Sequence, residues 1–177
     1  MKLEELEITH CTCKECISYC KARPGWFRPG EMPRLAEFLE MPLKEVFKKY
    51  LIVDYWMGQE LAEIYLLSPV KDFSRIKSKK ERIGIDMQME HNELMNRDCD
   101  KAGKRASWGY AFLHAPCIFL KDSKCSIYEA RPFECAIAWH EDGKSKQSAR
   151  EPGWKIRELI MEEWKKSRLI RELMDEL

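Results

Sequence analysis

Four cysteines fall within eleven residues near the N-terminus, in the stretch HCTCKECISYC that covers residues 10–20. Cys13, Cys16 and Cys20 are separated by three and four residues, so a helix would present these thiols on one face. Cys11 falls outside that face. Metal sites need such convergence, because zinc holds its thiolate ligands within ~2.3 Å. The alternative is that the cysteines simply form the buried face of a helix.

A second group of cysteines lies about a hundred residues further along the chain. The stretch CIFLKDSKCSIY predicts a β-hairpin whose turn is Asp122-Ser123. The stretch EARPFECAIAW predicts a turn followed by a helix that begins near Pro132 and carries Cys135 about one turn inside. The dipole at a helix N-terminus favours the thiolate form of a cysteine, which suits a metal ligand.

The geometry of a regular hairpin separates the first two cysteines of this group. In a two-residue hairpin Cys125 pairs with Leu120, and Cys117 lies three residues further along the opposite strand. The two thiols would then face opposite sides of the hairpin, roughly 10 Å apart. Either a bulge or bend interrupts the strand, or there are two sites, or one of these cysteines is structural. The sequence leaves these alternatives open.

Both cysteine groups together resemble the CxxCxxCC family of zinc- or iron-chelating proteins. That family has an N-terminal cysteine cluster and a later phrase close to Cys-x-Phe-Leu, Cys-x-Ile-Tyr and Arg-Pro-x-x-Cys. Nine residues of this chain match the later phrase: Cys117, Phe119, Leu120, Cys125, Ile127, Tyr128, Arg131, Pro132 and Cys135. The resemblance covers residues 10–55 and 115–140. Tyr19 stands where the family has its third N-terminal cysteine, so Cys11 or His140 could substitute as a ligand.

The resemblance implies metal binding, by an iron–sulfur cluster or by zinc. The expected ligands are Cys13, Cys16, Cys20, Cys117, Cys125 and Cys135. Six cysteines are more than one zinc ion needs, which favours a cluster held by thiolates. Arg131 is expected to support the cofactor by donating hydrogen bonds towards cluster or thiolate sulfur.

Composition limits the classes of function. The chain of 177 residues has 31 Lys and Arg against 30 Asp and Glu, so its charge gives no indication of nucleic-acid binding. No apolar run reaches the length of a transmembrane helix, and no secretory signal is visible at the N-terminus. These features predict a cytoplasmic protein, in which eight cysteines indicate metal or redox chemistry rather than disulfides. The basic stretch at 71–82 favours a solvated loop or helix face over a phosphate-binding patch.

The predicted fold is α+β and mainly helical, a single domain over 1–177 with a small β-hairpin and cysteine-bearing helix starts around the metal. Residues 10–55 and 115–140 would supply the two halves of the site, with a polar insertion at 71–105. Two short helices separated at Met41-Pro42 are expected, followed by strands in LIVDYWMG and EIYLLSPV. A long amphipathic helix over 153–177 is expected to pack on the core.

Three functions are compatible with such a site. The first is an iron–sulfur protein that acts with a redox or protein partner in electron transfer, cluster handling or redox sensing. The second is a zinc module whose surface binds another protein. The third is a metal-dependent enzyme, which requires a general base. Glu129, Glu134 and His140 are the candidates nearest to the cysteines in sequence.

Overall fold

The structure is a computed structural model of the chain, and it has the predicted α+β, mainly helical class. The parts that it describes are residues 3, 17, 20–21, 24–57, 63–76, 115–137, 140–141, 144–145 and 153–175. Its described strands form antiparallel two-stranded hairpins, and helices pack against the longest of these. None of the helices in these ranges is long and apolar enough to cross a membrane.

Two short helices lie after the N-terminal cysteine segment, α1 at Met32–Phe38 and α2 at Leu43–Tyr50. The predicted break at Met41-Pro42 is confirmed. Glu40 adopts a φ of 51°, and the N–H of Met41 donates to the Ala36 carbonyl at 3.0 Å. This is the Schellman ending of a helix, formed here without the glycine that usually permits it. Pro42 comes next and is the N-cap of the second helix.

The longest hairpin pairs β1, Leu51–Met57, with β2, Glu63–Pro69, as the sequence predicts. Its register places Leu51 opposite Pro69 and Met57 opposite Glu63. Both faces are covered, because Val53 packs in the main core while Ile52 packs with Val70 and Phe73. The end of the hairpin at residues 51–54 is therefore buried on both faces.

Short elements make up the second cysteine segment and the stretch after it. They are, in chain order, β3 at Leu120–Lys121, β4 at Lys124–Cys125, α3 at Phe133–Ala136, β5 at His140–Glu141 and β6 at Lys144–Ser145. β3 pairs with β4, and β5 pairs with β6, both antiparallel. The segment thus depends on turns and on contacts with other parts of the chain, because its own regular elements span two to four residues each.

The C-terminal segment forms two helices instead of the single helix expected over 153–177: α4 at Gly153–Lys166 and α5 at Leu169–Asp175. The hydroxyl of Ser167 accepts a hydrogen bond from the Leu169 N–H at 3.2 Å, so a new helical turn starts there. Serine competes for backbone groups in this way and favours helix starts over helix interiors. The expected packing on the core is confirmed, since Ile156, Ile160 and Trp164 are buried in it.

The start of the basic stretch is less solvated than predicted. Lys71 is only 4% exposed, and its backbone bridges that of Cys117. The Arg75 guanidinium donates to the Leu120 carbonyl. Both residues therefore support the segment that carries the second cysteine group. Residues 77–105, which hold the rest of the basic stretch and of the polar insertion, lie outside the described residues.

Candidate metal centre

Cys125 lies on the short hairpin formed by β3 and β4. The predicted register is confirmed, with Leu120 opposite Cys125. Asp122 and Ser123 have φ values of 47° and 59°, the conformation of the two-residue turn that matches the twist of paired strands. This tight turn fixes the position of Cys125 relative to the rest of the segment.

Cys117 is placed by a bend before β3, one of the alternatives that the sequence left open. The Leu120 N–H donates to the Cys117 carbonyl at 2.9 Å, so the chain turns instead of continuing as a strand. The Ser126 N–H donates to the Phe119 carbonyl at 2.8 Å and holds the bend against the hairpin. The separation calculated for a straight strand does not apply, and Cys117 and Cys125 interact electrostatically.

Cys20 joins this pair through the main chain. The N–H of Cys117 donates to the Cys20 carbonyl at 2.7 Å, which ties the N-terminal cysteine segment to the second group. Residues 17, 20 and 21 are helical, and Cys20 is half-buried against the core. Cys11, Cys13, Cys16 and Cys99 lie outside the described residues.

Cys135 occupies the third position of the short helix α3, whose N-cap is Pro132. Its predicted place in a helix start is confirmed. Proline offers no side-chain cap, and the carboxylate of Glu31 takes that role by accepting from the Phe133 N–H at 3.0 Å. The Gly25 N–H donates to the Cys135 sulfur at 3.3 Å. Sequence reasoning missed Glu31 and Gly25, since both act across a hundred residues.

The four cysteines Cys20, Cys117, Cys125 and Cys135 are free thiols, and they form the thiol cluster of this site. Cys20 and Cys117 each interact electrostatically with the other three thiols. Three separate segments of the chain therefore bring four sulfur atoms into one neighbourhood.

Burial keeps the thiol cluster protonated. Burial raises the pKa of Cys117 from 9.0 to about 12, with smaller contributions from Cys20 and Cys125. Burial raises the pKa of Cys20 from 9.0 to about 11, and the pKa of Cys135 lies well above its ordinary value for the same reason. The expectation that a helix start lowers the pKa of Cys135 is wrong for the metal-free protein. A four-residue helix offers a weak dipole, and desolvation outweighs it.

Arg131 supplies positive charge to this cluster. Its guanidinium lies 3.8 Å from the ring centre of Tyr128 and donates to the Tyr128 carbonyl at 2.5 Å. Its charge acts to lower the pKa of Cys20 and of Cys125, against the larger effect of burial. Arg131 is itself only 7% exposed, so water screens this interaction little. The predicted hydrogen bond from Arg131 to sulfur stays a prediction, and what the fold provides is a positive charge that acts on Cys20 and Cys125.

The candidate general bases differ in their surroundings. Glu134 accepts from the Trp26 N–H at 2.8 Å and pairs with Arg157 at 2.5 Å, so its carboxylate holds the fold together. Glu129 is exposed, at the 3₁₀ turn Tyr128–Ala130. His140 begins the strand β5, and its side chain is not among those described.

The thiol cluster does not have the geometry of a preformed metal site. Among the described residues, no group of three or more His, Cys, Asp or Glu side chains has the arrangement of a metal site. The donor chemistry nevertheless fits a soft metal, because thiolates suit zinc and iron–sulfur clusters. The peptide N–H of Gly25 and the charge of Arg131 would both stabilise negative sulfur.

Comparison with known proteins identifies no family for this chain. No family model, curated protein or solved structure matches it. The resemblance to the CxxCxxCC family therefore stays a prediction, carried by the residues of its two motifs. The thiol cluster is accordingly the feature on which a function can be based.

Proposed function

We propose that this is a cytoplasmic, cysteine-ligated metal-binding protein that carries an iron–sulfur cluster and serves in electron transfer, cluster handling or redox sensing. The observation that carries the proposal is the thiol cluster, in which the Cys117 N–H donates to the Cys20 carbonyl at 2.7 Å and these two thiols each interact electrostatically with the other three. The cluster is drawn from segments that lie about a hundred residues apart.

Packing alone is a poor reason for such a cluster. Aliphatic side chains fill a core without the reactivity of a thiol, and cysteine is usually retained for its chemistry. Disulfide formation is the other common use of cysteines that meet in space. All four described members are free thiols, and a reducing cytosol would keep them so. Metal ligation would give all four thiols the same role, that of a ligand.

Iron is preferred to zinc because of the number of candidate ligands. The thiol cluster already supplies four, and Cys13 and Cys16 belong to the same N-terminal motif as Cys20. One cluster takes four thiolates, as a structural zinc site does, so two of the six thiols remain over. Such additional thiols fit a role in cluster handling better than they fit a closed structural zinc site. Arg131 would then offset part of the negative charge that builds up on the sulfur atoms, as supporting residues of such sites do.

Zinc binding by a structural module is the second candidate, and one observation favours it. The four described thiols are by number a complete tetrahedral Cys₄ set, which needs no contribution from Cys13 or Cys16. In that case the protein would act through a surface that binds a partner. A metal-dependent enzyme is the third candidate, and its general base would not be Glu134, whose carboxylate is held by Trp26 and Arg157.

The first experiment is anaerobic purification followed by iron, acid-labile sulfide and zinc analysis, with an absorption spectrum. A brown protein that contains iron and sulfide supports the cluster, and a colourless one with stoichiometric zinc supports the module. The matched variants are Cys20→Ser and Cys125→Ser, with Cys99→Ser as a control outside both motifs. We expect the first two to lose metal and the third to keep it. If all three keep the full metal content, the thiol cluster is not the site.

Zinc or iron uptake should also release protons. The raised pKa values of Cys20 and Cys117 mean that both thiols are protonated at pH 7, so they must lose a proton to become ligands. Metal addition in a weak buffer with a pH indicator counts these protons. Release that is unchanged in Cys125→Ser would argue against a shared centre.

A further inference from the structure

Gly25 makes an unusually close approach to one thiol of the cluster. Its N–H donates to the sulfur of Cys135 at 3.3 Å. A β-carbon placed on Gly25 would lie 2.8 Å from that sulfur, 3.0 Å from the β-carbon of Glu134 and 3.1 Å from the Cys135 nitrogen. Interiors are packed too tightly to absorb such contacts without movement. Any side chain at position 25 would therefore displace either the sulfur or the helix start.

The backbone conformation of Gly25 does not by itself call for glycine. Its φ lies outside the left-handed region where glycine is favoured. Gly25 is buried between Pro24 and Trp26, so a requirement for chain mobility at a surface turn does not explain it either. The remaining explanation for glycine is steric: without a side chain at position 25, the peptide group can approach Cys135.

Neighbouring contacts hold this peptide group in place. The next N–H along the chain, that of Trp26, donates to Glu134 at 2.8 Å, and the Trp26 indole donates to Asp54 at 3.0 Å. Arg157 holds the other oxygen of Glu134 at 2.5 Å. Two consecutive peptide N–H groups thus face two consecutive side chains of the helix start. The donor to the sulfur is fixed by the core rather than free to adjust.

We propose that Gly25 is a positioning residue of the metal centre: its N–H orients the Cys135 sulfur and stabilises the negative charge that this sulfur carries as a ligand. Hydrogen bonds to cysteine sulfur are one of the means by which a protein sets the properties of a thiolate-bound metal. This role rests on the proposed function, and it assigns to the metal centre a residue that is not itself a ligand.

The test compares two glycine variants in the full chain. Gly25→Ala introduces a methyl group against the sulfur, and Gly30→Ala introduces the same group five residues away, where nothing lies within 4 Å. The reduced, metal-free proteins are titrated anaerobically with Co²⁺, whose thiolate charge-transfer band reports on the sulfur ligands. We expect Gly25→Ala to bind about 10- to 100-fold more weakly, as loss of supporting contacts generally does, and to shift that band. Gly30→Ala should bind within about twofold of wild type.

The outcomes separate the role of Gly25 from the proposed function. If Gly25→Ala and Gly30→Ala both match wild type in affinity and in band position, Gly25 has no positioning role, while metal binding by the wild-type protein stands. If wild type itself binds no Co²⁺, the proposed function fails, and the role of Gly25 fails with it. A loss of affinity in Gly30→Ala equal to that in Gly25→Ala would also refute the role, since the effect would not be specific to the sulfur contact.

A second measurement covers the case in which Gly25→Ala folds poorly. Chemical unfolding of the metal-free protein is compared for Gly25→Ala in the wild-type and Cys135→Ala backgrounds. Removing the sulfur removes the 2.8 Å contact, so the substitution should be better tolerated in the second background. If Gly25→Ala destabilises the protein equally in the two backgrounds, or prevents folding in both, the refutation is clear. The empty space at position 25 would then be needed by the neighbouring backbone and not by the Cys135 sulfur.

Discussion

The pH dependence of stability offers a direct test of the buried thiol cluster, and Cys117 is its best-defined member. In the unfolded chain its pKa is the ordinary 9.0, and in the fold burial raises it to about 12. The folded state therefore keeps this proton where the unfolded state loses it. The stabilisation is fully present below pH 9 and is lost as the pH rises towards 12. At pH 10 the unfolded thiol is about nine-tenths ionised, which corresponds to a loss of ~1.4 kcal/mol relative to about pH 7.5.

The assay is urea unfolding of the metal-free, reduced protein at about pH 7.5 and about pH 10, for wild type and for Cys117→Ala. Lysine and tyrosine also titrate near pH 10, but they are the same in both proteins. The quantity compared is thus the change in unfolding free energy between the two pH values. Wild type should lose ~1.4 kcal/mol more than the variant. Equal losses would show that Cys117 ionises as readily in the fold as in the unfolded chain, and would refute its burial among the other thiols.

Two further predictions concern the core and the charge beside the cluster. Leu35→Ala should lower the unfolding free energy by ~2–5 kcal/mol in urea, because Leu35 is fully buried, whereas Phe38→Ala on the same helix should cost clearly less, since Phe38 is 44% exposed. Arg131→Gln removes the charge that acts to lower the pKa of Cys20 and Cys125. Arg131→Gln should therefore weaken Zn²⁺ binding about 10- to 100-fold, measured in competition with a chelator. Arg131→Lys keeps the charge and should recover part of the loss. An unchanged affinity in Arg131→Gln would show that Arg131 does not support the site.

Local sequence patterns predicted the elements whose causes are local. The Asp122-Ser123 turn fixes the register of its hairpin within six residues, and the Leu120–Cys125 pairing depends on it. The break at Met41-Pro42 and the placement of Cys135 in a helix start depend likewise on neighbouring residues. In each case the residue type determines the backbone geometry directly, because proline and the turn residues restrict φ and remove or redirect hydrogen bonds.

The features that the sequence could not predict depend on partners far along the chain. The bend that turns Cys117 towards Cys125 is held by the Cys20 carbonyl and by the Lys71 bridge. Lysine is rarely buried, so its place beside the cluster could not be expected from residue type. The approach of Gly25 to Cys135 spans 110 residues. Nothing in either local stretch indicates that contact, although the proline before Gly25 and the proline before α3 both indicate fixed backbone.

Burial and metal affinity are linked through the protons on sulfur. Raising the pKa of Cys117 from 9.0 to about 12 makes its ionisation ~4 kcal/mol more costly than that of an ordinary thiol, so no isolated charge develops there. Only a ligand that brings its own positive charge offsets this cost, and a soft cation does so through direct bonds to sulfur. Arg131 and the Gly25 N–H reduce the cost for Cys20, Cys125 and Cys135 without removing it. The same packing that stabilises the fold thus disfavours reactive lone thiolates, and under the proposed function a metal centre would have to offset this cost through bonds to several thiols at once.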